Sequence, residues 1–153
     1  MISFSEAVKI AADPARVWRA LTTPGEVVCW DAGVIEPLDA PADYPAPGQH
    51  VRWRYRLGPL PLTLHDRPRE VEPCSRLRSS IRLGPFDFDE IYTLSRLDSS
   101  GTRLEAELSL SSRTPVLGTL LERIVGVPLA RSTVRTSLAA IRRHCERNAD
   151  PVW

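Results

Sequence analysis

The chain has 153 residues, of which 42% are hydrophobic and 25% are charged. That length and balance predict one folded domain with enough apolar mass for a core, and they exclude a disordered chain. Twenty Lys and Arg against nineteen Asp and Glu leave a formal charge of +1, so the overall charge does not favour nucleic acid or an anionic membrane as a partner.

The three cysteines, Cys29, Cys74 and Cys145, are far apart and show no C-x-x-C spacing. They are therefore interpreted as free thiols and not as a disulfide framework or a zinc site. The first residues lack a basic stretch followed by an apolar segment, and no apolar run approaches eighteen residues. We expect a cytoplasmic protein without stable membrane insertion.

The first third of the chain predicts a strand, two short helices and a second strand. Apolar and polar residues alternate over 4–10, which is the period of a strand with one buried face. Asp13 followed by Pro14 predicts a helix start, with Asp13 as N-cap and the helix over 15–21. A second short helix is predicted over 25–30, with Thr23 as its N-cap, and a short strand over 34–38.

The next segment, 39–48, contains three prolines and a glycine, so it is predicted to be a loop and is a candidate for the rim of a pocket. In the strand that follows, Trp53 and Tyr55 alternate with arginines, which indicates an aromatic inner face and a cationic outer face. Pro68 predicts an edge position or a bulge in the strand over 60–71, and a bulge there would change which side chains face inward. The orientation of His65 is therefore left open.

Three more antiparallel strands are predicted over 77–83, 88–94 and 104–110, the last two joined by a hairpin turn at Ser99-Ser100-Gly101. From 115 to about 147 the period becomes helical, with Gly126 and Pro128 predicting a break between two apolar stripes. His144, near the C-terminal end, is expected at the surface. The tail over 148–153 is predicted to be loose.

This order of elements predicts an α+β helix-grip fold, in which a curved antiparallel sheet of about seven strands wraps around a long C-terminal helix and two short helices follow the first strand. A long helix cannot fill the whole concavity of such a sheet, and the remaining space becomes a pocket. A hydrophobic or aromatic small molecule is the ligand that such a pocket would hold.

Several motifs are similar to those of a known superfamily. The run Val8 to Pro24, the later Trp30, the pair Pro47-Gly48, and the stretches 71–73 and 101–104 resemble the START-like SRPBCC superfamily, closest to its polyketide cyclase/dehydrase-like branch. The resemblance covers most of 2–147, so 1–147 is interpreted as a single START-like domain. It implies a hydrophobic cavity in proteins that cyclise polyketides, carry lipids or quinones, or sense hormones, but no single reaction.

The chain departs from the iron-dependent members of that superfamily. It has no paired Cys-x-His, and its histidines, His50, His65 and His144, are widely separated. Neither a metal nor a cofactor is expected.

Glu90 is the most informative candidate for chemistry. Alternation places it on the same strand face as Phe88, Tyr92 and Leu94, where an unpaired carboxylate is costly. It is either a pocket acid or base with a raised pKa, or a solvated residue at the pocket mouth.

The candidate catalytic residues are Glu90, Tyr92, Tyr55 and His65. The candidate ligand-binding residues are Trp53, Tyr55, Leu64, Phe88, Glu90, Tyr92, Leu94, Leu108, Leu120, Ile124, Val134 and Leu138.

Two rows of arginines, here called the arginine rows, occupy the opposite face of the sheet: Arg52, Arg54, Arg56 and Arg76, Arg78, Arg82. No aromatic residues interleave with them, so they are interpreted as the solvated convex surface, neutralised by neighbouring carboxylates such as Asp87 and Asp89. Nucleic acid is not an expected partner.

The favoured hypothesis is a module that binds a lipid, quinone or polyketide-like molecule in a cavity between the curved sheet and the C-terminal helix. The alternative is an aromatase/cyclase-type enzyme that catalyses aldol closure and dehydration with pocket acids and bases. A third hypothesis is a protein-interaction role for the proline-rich loop and the arginine rows. A homodimer is left open.

Overall fold

The computed structural model describes residues 2–98, 100–112 and 127–147. Its elements in chain order are β1 (Ile2–Ile10), α1 (Pro14–Thr22), α2 (Pro24–Trp30), β2 (Val34–Pro37), β3 (Val51–Leu57), β4 (Leu60–Glu72), β5 (Arg76–Leu83), β6 (Phe86–Arg96), β7 (Thr102–Ser112) and α3 (Val127–Arg147). The predicted helices and strands are thus confirmed in type and order over the described ranges, with boundaries that differ by one or two residues in most elements. The predicted stripe over 116–124, Gly126 and the tail over 148–153 lie outside the described residues.

The strands form one curved antiparallel sheet in the order β1-β7-β6-β5-β4-β3-β2. Every chain-consecutive pair from β2 to β7 is adjacent, and β1 closes the other edge against β7. Helix α3 packs on β1 and β7, buries Val134, Leu138, Ile141 and Cys145, and is held to β1 by Arg135, whose Nε lies 3.0 Å from Glu6 Oε1. This is the predicted helix-grip fold.

The start of α1 follows the predicted capping pattern. Asp13 has extended backbone angles, and its Oδ1 accepts a 2.9 Å hydrogen bond from the Arg16 backbone N–H, with Pro14 in the first turn. Thr23 precedes α2 in an extended conformation, but its side chain makes no capping hydrogen bond. Thr23 is thus the predicted N-cap residue of α2, although only its backbone carbonyl accepts hydrogen bonds from the first turn. Pro24 in the first turn, which needs no N–H partner, begins the helix without a side-chain cap.

The junction of the three helices corrects the prediction for His144. Its Nε2 lies 2.8 Å from Glu26 Oε1, and the same oxygen lies 2.8 Å from Nη1 of the buried Arg16. The His144 side chain is only 14% exposed because α2 lies over the end of α3. His144 is part of a helix junction and does not lie free on the surface.

The bulge expected near Pro68 is present, as a register shift between Pro68 and Glu70. It comes after His65 and Asp66, so the alternation that begins at Leu62 continues unchanged through these two residues. His65 pairs with Arg52 and Arg82 on the convex face, and Asp66 points to the concave face. The orientation of His65, which the sequence left open, is therefore outward, toward the convex face.

The convex face carries the arginine rows, and carboxylates neutralise them as expected. Nη2 of Arg78 lies 3.1 Å from Asp89 Oδ2, and Nε of Arg82 lies 2.9 Å from Asp87 Oδ1. Such half-exposed pairs contribute little stability individually. Over the described part of the chain, no helix is long and apolar enough to cross a membrane.

Candidate functional site

A cavity of about 190 Å³ lies between the concave face of the sheet and α3. Strands β3 to β7 form its floor, α2 and the loop that follows it form one side, and the first half of α3 forms the roof. The lining is mostly apolar and aromatic, because each strand directs alternate apolar residues inward. The arrangement matches a small-molecule site, in which apolar walls surround a few placed polar groups.

Most of the proposed ligand-binding residues lie together in this wall: Trp53, Tyr55, Leu64, Phe88, Glu90, Tyr92, Leu108, Val134 and Leu138. Leu94 faces the same side but lies opposite Leu104, in a filled part of the core that includes Val17 of α1, and is 7% exposed. The prediction that Leu94 lines the cavity is therefore wrong. Strand parity gives the face on which a residue lies but not its position along the strand. Leu120 and Ile124 lie outside the described residues.

His65, the fourth catalytic candidate, lies on the other side of the sheet from Glu90. Its Nδ1 is 2.8 Å from Nε2 of His50 on the convex surface. Partial burial, His50 and nearby arginines lower the pKa of His65. A pocket role for His65 is contradicted, because it pairs in register with Arg52 and Arg82.

Seven aromatic side chains, here called the aromatic wall, line the cavity: Trp30, Tyr44, Trp53, Tyr55, Phe86, Phe88 and Tyr92. Tyr44 and Trp53 meet edge to face, with ring centroids 5.7 Å apart and an interplanar angle of 71°. The indole N–H of Trp30 donates a 2.8 Å hydrogen bond to the Ala20 carbonyl, which fixes that ring at the base of the helices. Contacts within the protein therefore position these three rings.

Gly33 permits the position of Tyr55. A Cβ at residue 33 would lie 2.5 to 2.6 Å from three atoms of the Tyr55 side chain, so the ring or the backbone would have to move. The Gly33 carbonyl also accepts a 2.7 Å hydrogen bond from the Arg56 backbone N–H, which keeps the two segments in contact. Gly33 thus leaves room for the Tyr55 side chain in the aromatic wall.

Asp66 is the principal site residue that sequence reasoning missed. It is 5% exposed, and its Oδ2 accepts hydrogen bonds from the Tyr44 hydroxyl at 2.6 Å and the Trp53 indole N–H at 3.3 Å. Its Oδ1 is buried and makes no well-formed hydrogen bond among the described residues, although the Ser79 side chain lies near enough to lower the pKa of the carboxyl group. Burial raises the pKa of Asp66, although the hydrogen bonds it accepts oppose that rise. Continued alternation after Leu62 and Leu64 was the signal that could have identified it.

Glu90 faces the cavity from β6, opposite Ser79 of β5 and Leu108 of β7. Burial, together with the negative charges of Asp66 and Asp31, raises the pKa of Glu90 to about 8. A carboxyl group with that pKa is mostly protonated at pH 7, so it can donate a hydrogen bond or exchange a proton with a bound molecule.

Two phenols and a third carboxyl group add to the polar lining. Burial and the charges of Glu90 and Asp31 raise the pKa of Tyr92 well above its usual value, and burial with Asp31 raises that of Tyr55. Both hydroxyls are therefore donors at neutral pH. Asp31, just after α2, accepts a 3.0 Å hydrogen bond from the Gly33 N–H, and burial raises its pKa. In the described ranges, no three His, Cys, Asp or Glu side chains are placed to hold a metal ion.

Comparison with known sequences places this fold and cavity in a family. The sequence pattern of the family described as polyketide cyclase/dehydrase and lipid transport matches residues 1–146. No curated protein sequence matches the chain.

Solved structures with low identity share the fold. The Zhui aromatase/cyclase of Streptomyces sp. R1128 superposes with a TM-score of 0.77 at 15% identity, covering 95% of this chain and 94% of that one. A START superfamily protein of Mycobacterium smegmatis gives a TM-score of 0.76 at 14% identity, covering 95% and 97%. A protein of Thermus thermophilus gives 0.76 at 18% identity, covering 97% and 100%. At these identities the likeness shows the fold alone, whereas the match over 1–146 shows that the chain belongs to the polyketide cyclase/dehydrase and lipid transport family.

Proposed function

We propose that the protein binds an apolar or aromatic small molecule, of the lipid, quinone or polyketide-like kind, in the cavity between the curved sheet and α3. The observation that carries the proposal is the cavity itself, about 190 Å³ with a mostly apolar and aromatic lining. For comparison, an engineered apolar cavity of about 150 Å³ stays dry and binds benzene. The space therefore suits a one-ring or two-ring portion of a ligand.

The arrangement of the polar groups supports binding of a molecule with few polar atoms. Apolar side chains supply most of the contact area, and Asp66, Glu90 and the two phenols are positioned to fix its orientation. The family description includes both lipid transport and cyclisation, which is consistent with this type of cavity.

The test is a titration with indane, a neutral two-ring hydrocarbon, followed by the total tryptophan emission, to which Trp30 and Trp53 of the cavity contribute, and by the melting temperature. Binding is expected to quench the emission and raise the melting temperature. Ser137→Phe places a ring in the cavity from α3 and should abolish the effect. Thr136→Phe, at the neighbouring exposed position, is the matched control and should bind normally. Unchanged binding to Ser137→Phe would contradict the cavity as the site.

A second candidate function, an aromatase/cyclase-type enzyme, is favoured by Glu90. A buried carboxyl group with a pKa of about 8 can remove an α-proton from a poly-β-keto chain once ionised. The Tyr92 or Tyr55 hydroxyl would donate to the attacked carbonyl oxygen as the new carbon–carbon bond forms, and loss of water would follow. The likeness in fold to the Zhui aromatase/cyclase is consistent with this candidate.

The two functions differ in what Glu90→Gln does. In an enzyme whose base is Glu90, turnover of a poly-β-keto thioester should fall by about a hundredfold or more. In a binding protein, the same change preserves the shape of the cavity and leaves affinity for the hydrocarbon within a few fold. Unchanged turnover on a true substrate would remove Glu90 from the mechanism.

A further inference from the structure

We propose that the preferred ligand of this cavity is an organic cation, an apolar ring skeleton that carries one protonated amine. The inference rests on the proposed binding function and narrows its ligand class. It is based on buried carboxyl groups and aromatic rings around one space, and on a buried acceptor atom in the wall that makes no well-formed hydrogen bond among the described residues.

The charged groups of the cavity are all acidic. Asp31, Asp66 and Glu90 line it, and among the described lining residues there is no lysine, arginine or histidine. The arginines of strands β3 and β5 point to the opposite face of the sheet, where they pair with other carboxylates. No described cation in the wall therefore compensates the negative charge that these groups carry when they are ionised.

Asp66 supplies the observation that points to a ligand. Asp66 is 95% buried in the cavity wall, and its Oδ2 accepts from Tyr44 and Trp53. Its Oδ1 makes no well-formed hydrogen bond among the described residues, although the Ser79 side chain lies near enough to lower the pKa of the carboxyl group. A buried acceptor left without a donor costs free energy. A ligand N–H placed at this atom removes that cost, and a charged donor forms the strongest hydrogen bond there.

The rings around Asp66 favour the same charge. Trp53 and Tyr44 lie against the carboxyl group, and Tyr55, Phe88 and Tyr92 line the same space. The face of an aromatic ring attracts an ammonium group, most strongly for tryptophan and most strongly where water is excluded. Aromatic cages with a nearby carboxylate bind amines by this combination, whereas an anionic ligand would meet both the ring faces and the carboxylates unfavourably.

The geometry disfavours a metal ion as the occupant of the acidic groups. The three carboxyl groups do not come close enough to act as a ligand set in the described ranges, and most of the wall between them is hydrocarbon. A cation with its own apolar surface fits this spacing, because its skeleton fills the space while the ammonium group reaches Asp66.

The experiment compares four ligands with one skeleton: indane, 2-indanol, 2-aminoindane and indane-2-carboxylic acid. At pH 7 and fixed ionic strength, 2-aminoindane is expected to bind at least about tenfold more tightly than 2-indanol, and the carboxylate least tightly of the four. Titration calorimetry in two buffers of different ionisation enthalpy should also show release of a proton on amine binding, since the ammonium group lowers the pKa of the neighbouring Glu90.

Two variants locate the effect. Asp66→Asn keeps an oxygen for Tyr44 and Trp53 but removes the charge, and it should abolish most of the preference for the amine while indane still binds. Glu90→Gln should abolish the proton release and lower the preference by a smaller factor. Asp89→Asn, one residue away but on the convex face, is the matched control and should leave all four affinities unchanged.

The outcomes are distinct for the two proposals. Equal or tighter binding of 2-indanol, or tightest binding of the carboxylate, would overturn the cation preference while leaving a binding cavity. A preference for the amine that survives both Asp66→Asn and Glu90→Gln would also overturn it. If none of the four ligands binds, including indane, the proposed binding function itself fails.

Discussion

The Tyr44 hydroxyl donates a 2.6 Å hydrogen bond to Asp66 Oδ2, and this contact joins the proline-rich loop to the middle of the concave sheet face. The same oxygen accepts from the Trp53 indole N–H, so one buried carboxylate orders two rings of the aromatic wall. The loop is thereby part of the site and not merely a connection between β2 and β3.

Tyr44→Phe removes this donor and keeps the ring. We expect it to lower the free energy of unfolding by about 1 to 2 kcal/mol, because Asp66 loses its shortest hydrogen bond in a buried position. The pKa of Asp66 should rise further, since the lost bond favours its charged form. Urea denaturation measures the first effect, and NMR titration of the Asp66 carboxyl carbon measures the second.

Tyr92→Phe is the control for this change. Tyr92 also lines the cavity, but its hydroxyl makes no hydrogen bond to another described residue, so its removal should alter stability by less than about 0.5 kcal/mol. Equal losses from the two variants would show that the Tyr44 hydrogen bond has no special role.

Gly33→Ala tests the contact that positions Tyr55. The added methyl group would lie 2.5 to 2.6 Å from the ring, so either the ring or the backbone must move. Overpacking of this kind costs about 1 to 3 kcal/mol, and displacement of Tyr55 should also change affinity for a cavity ligand. Thermal and urea denaturation, with a ligand titration on the same sample, provide the measurements.

Gly25→Ala serves as the comparison, because it lies in α2 with no atom within 4 Å of the added methyl group. That change should be neutral or stabilising by up to about 1 kcal/mol. In a Tyr55→Ala background, most of the cost of Gly33→Ala should disappear if the ring is the cause. A cost that persists there would place the strain in the backbone.

Most of the fold follows from local patterns, and the site follows only in part. Alternation placed Trp53, Tyr55 and Glu90 on the inner face correctly, because strand parity is a strict geometric rule. Pro68 obscured the phase of β4, and so Asp66 was missed and His65 was kept as a candidate. The bulge begins at Pro68, after His65 and Asp66 in the chain, so it does not change their orientation. No property of the sequence indicates on which side of these two residues the bulge lies.

Other misses arise from tertiary packing. Tyr44 lies in a loop, where no periodicity gives the direction of a side chain, and its partner is twenty-two positions away. Leu94 has the correct parity but lies where α1 and α3 already fill the core. His144 becomes mostly buried only because α2 lies over α3, a contact between segments more than a hundred residues apart.

Glu26→Gln tests the helix junction. Burial alone would raise the pKa of Glu26, but hydrogen bonds and charge from His144 and Arg16 outweigh it, and the net pKa is lowered from 4.5. A lowered pKa means that the contribution to stability is complete above about pH 4.5 and is lost as the pH falls through the folded-state value. Glu26→Gln should therefore destabilise the protein at pH 7 by about 1 to 2 kcal/mol and by less at pH 3.

Glu36→Gln is the control, since Glu36 pairs with Arg54 at 3.1 Å but both side chains are more than half exposed. Its effect should stay below about 0.5 kcal/mol at either pH. Denaturant titrations of both variants from pH 3 to pH 8 give the comparison. If the effect of Glu26→Gln does not diminish in acid, the junction does not act through the charge of Glu26.

Glu90 should give the opposite pH dependence. Its pKa is raised from 4.5 to about 8 by burial and by the charges of Asp66 and Asp31, so the folded protein holds this proton more tightly than the unfolded chain does. Between about pH 4.5 and pH 8 the native state binds more protons at this site, and stability must fall as the pH rises, by up to about 1.4 kcal/mol per pH unit.

In Glu90→Gln this contribution is absent, and the stability difference between variant and wild type should widen with pH and level off above about pH 8. Urea denaturation at half-unit intervals from pH 4.5 to pH 9 measures this difference, with Asp89→Asn on the convex face as the control. A constant difference across that range would mean that Glu90 titrates as a solvated carboxylate, in which case it is neither the proposed base nor the source of a proton released when an amine binds.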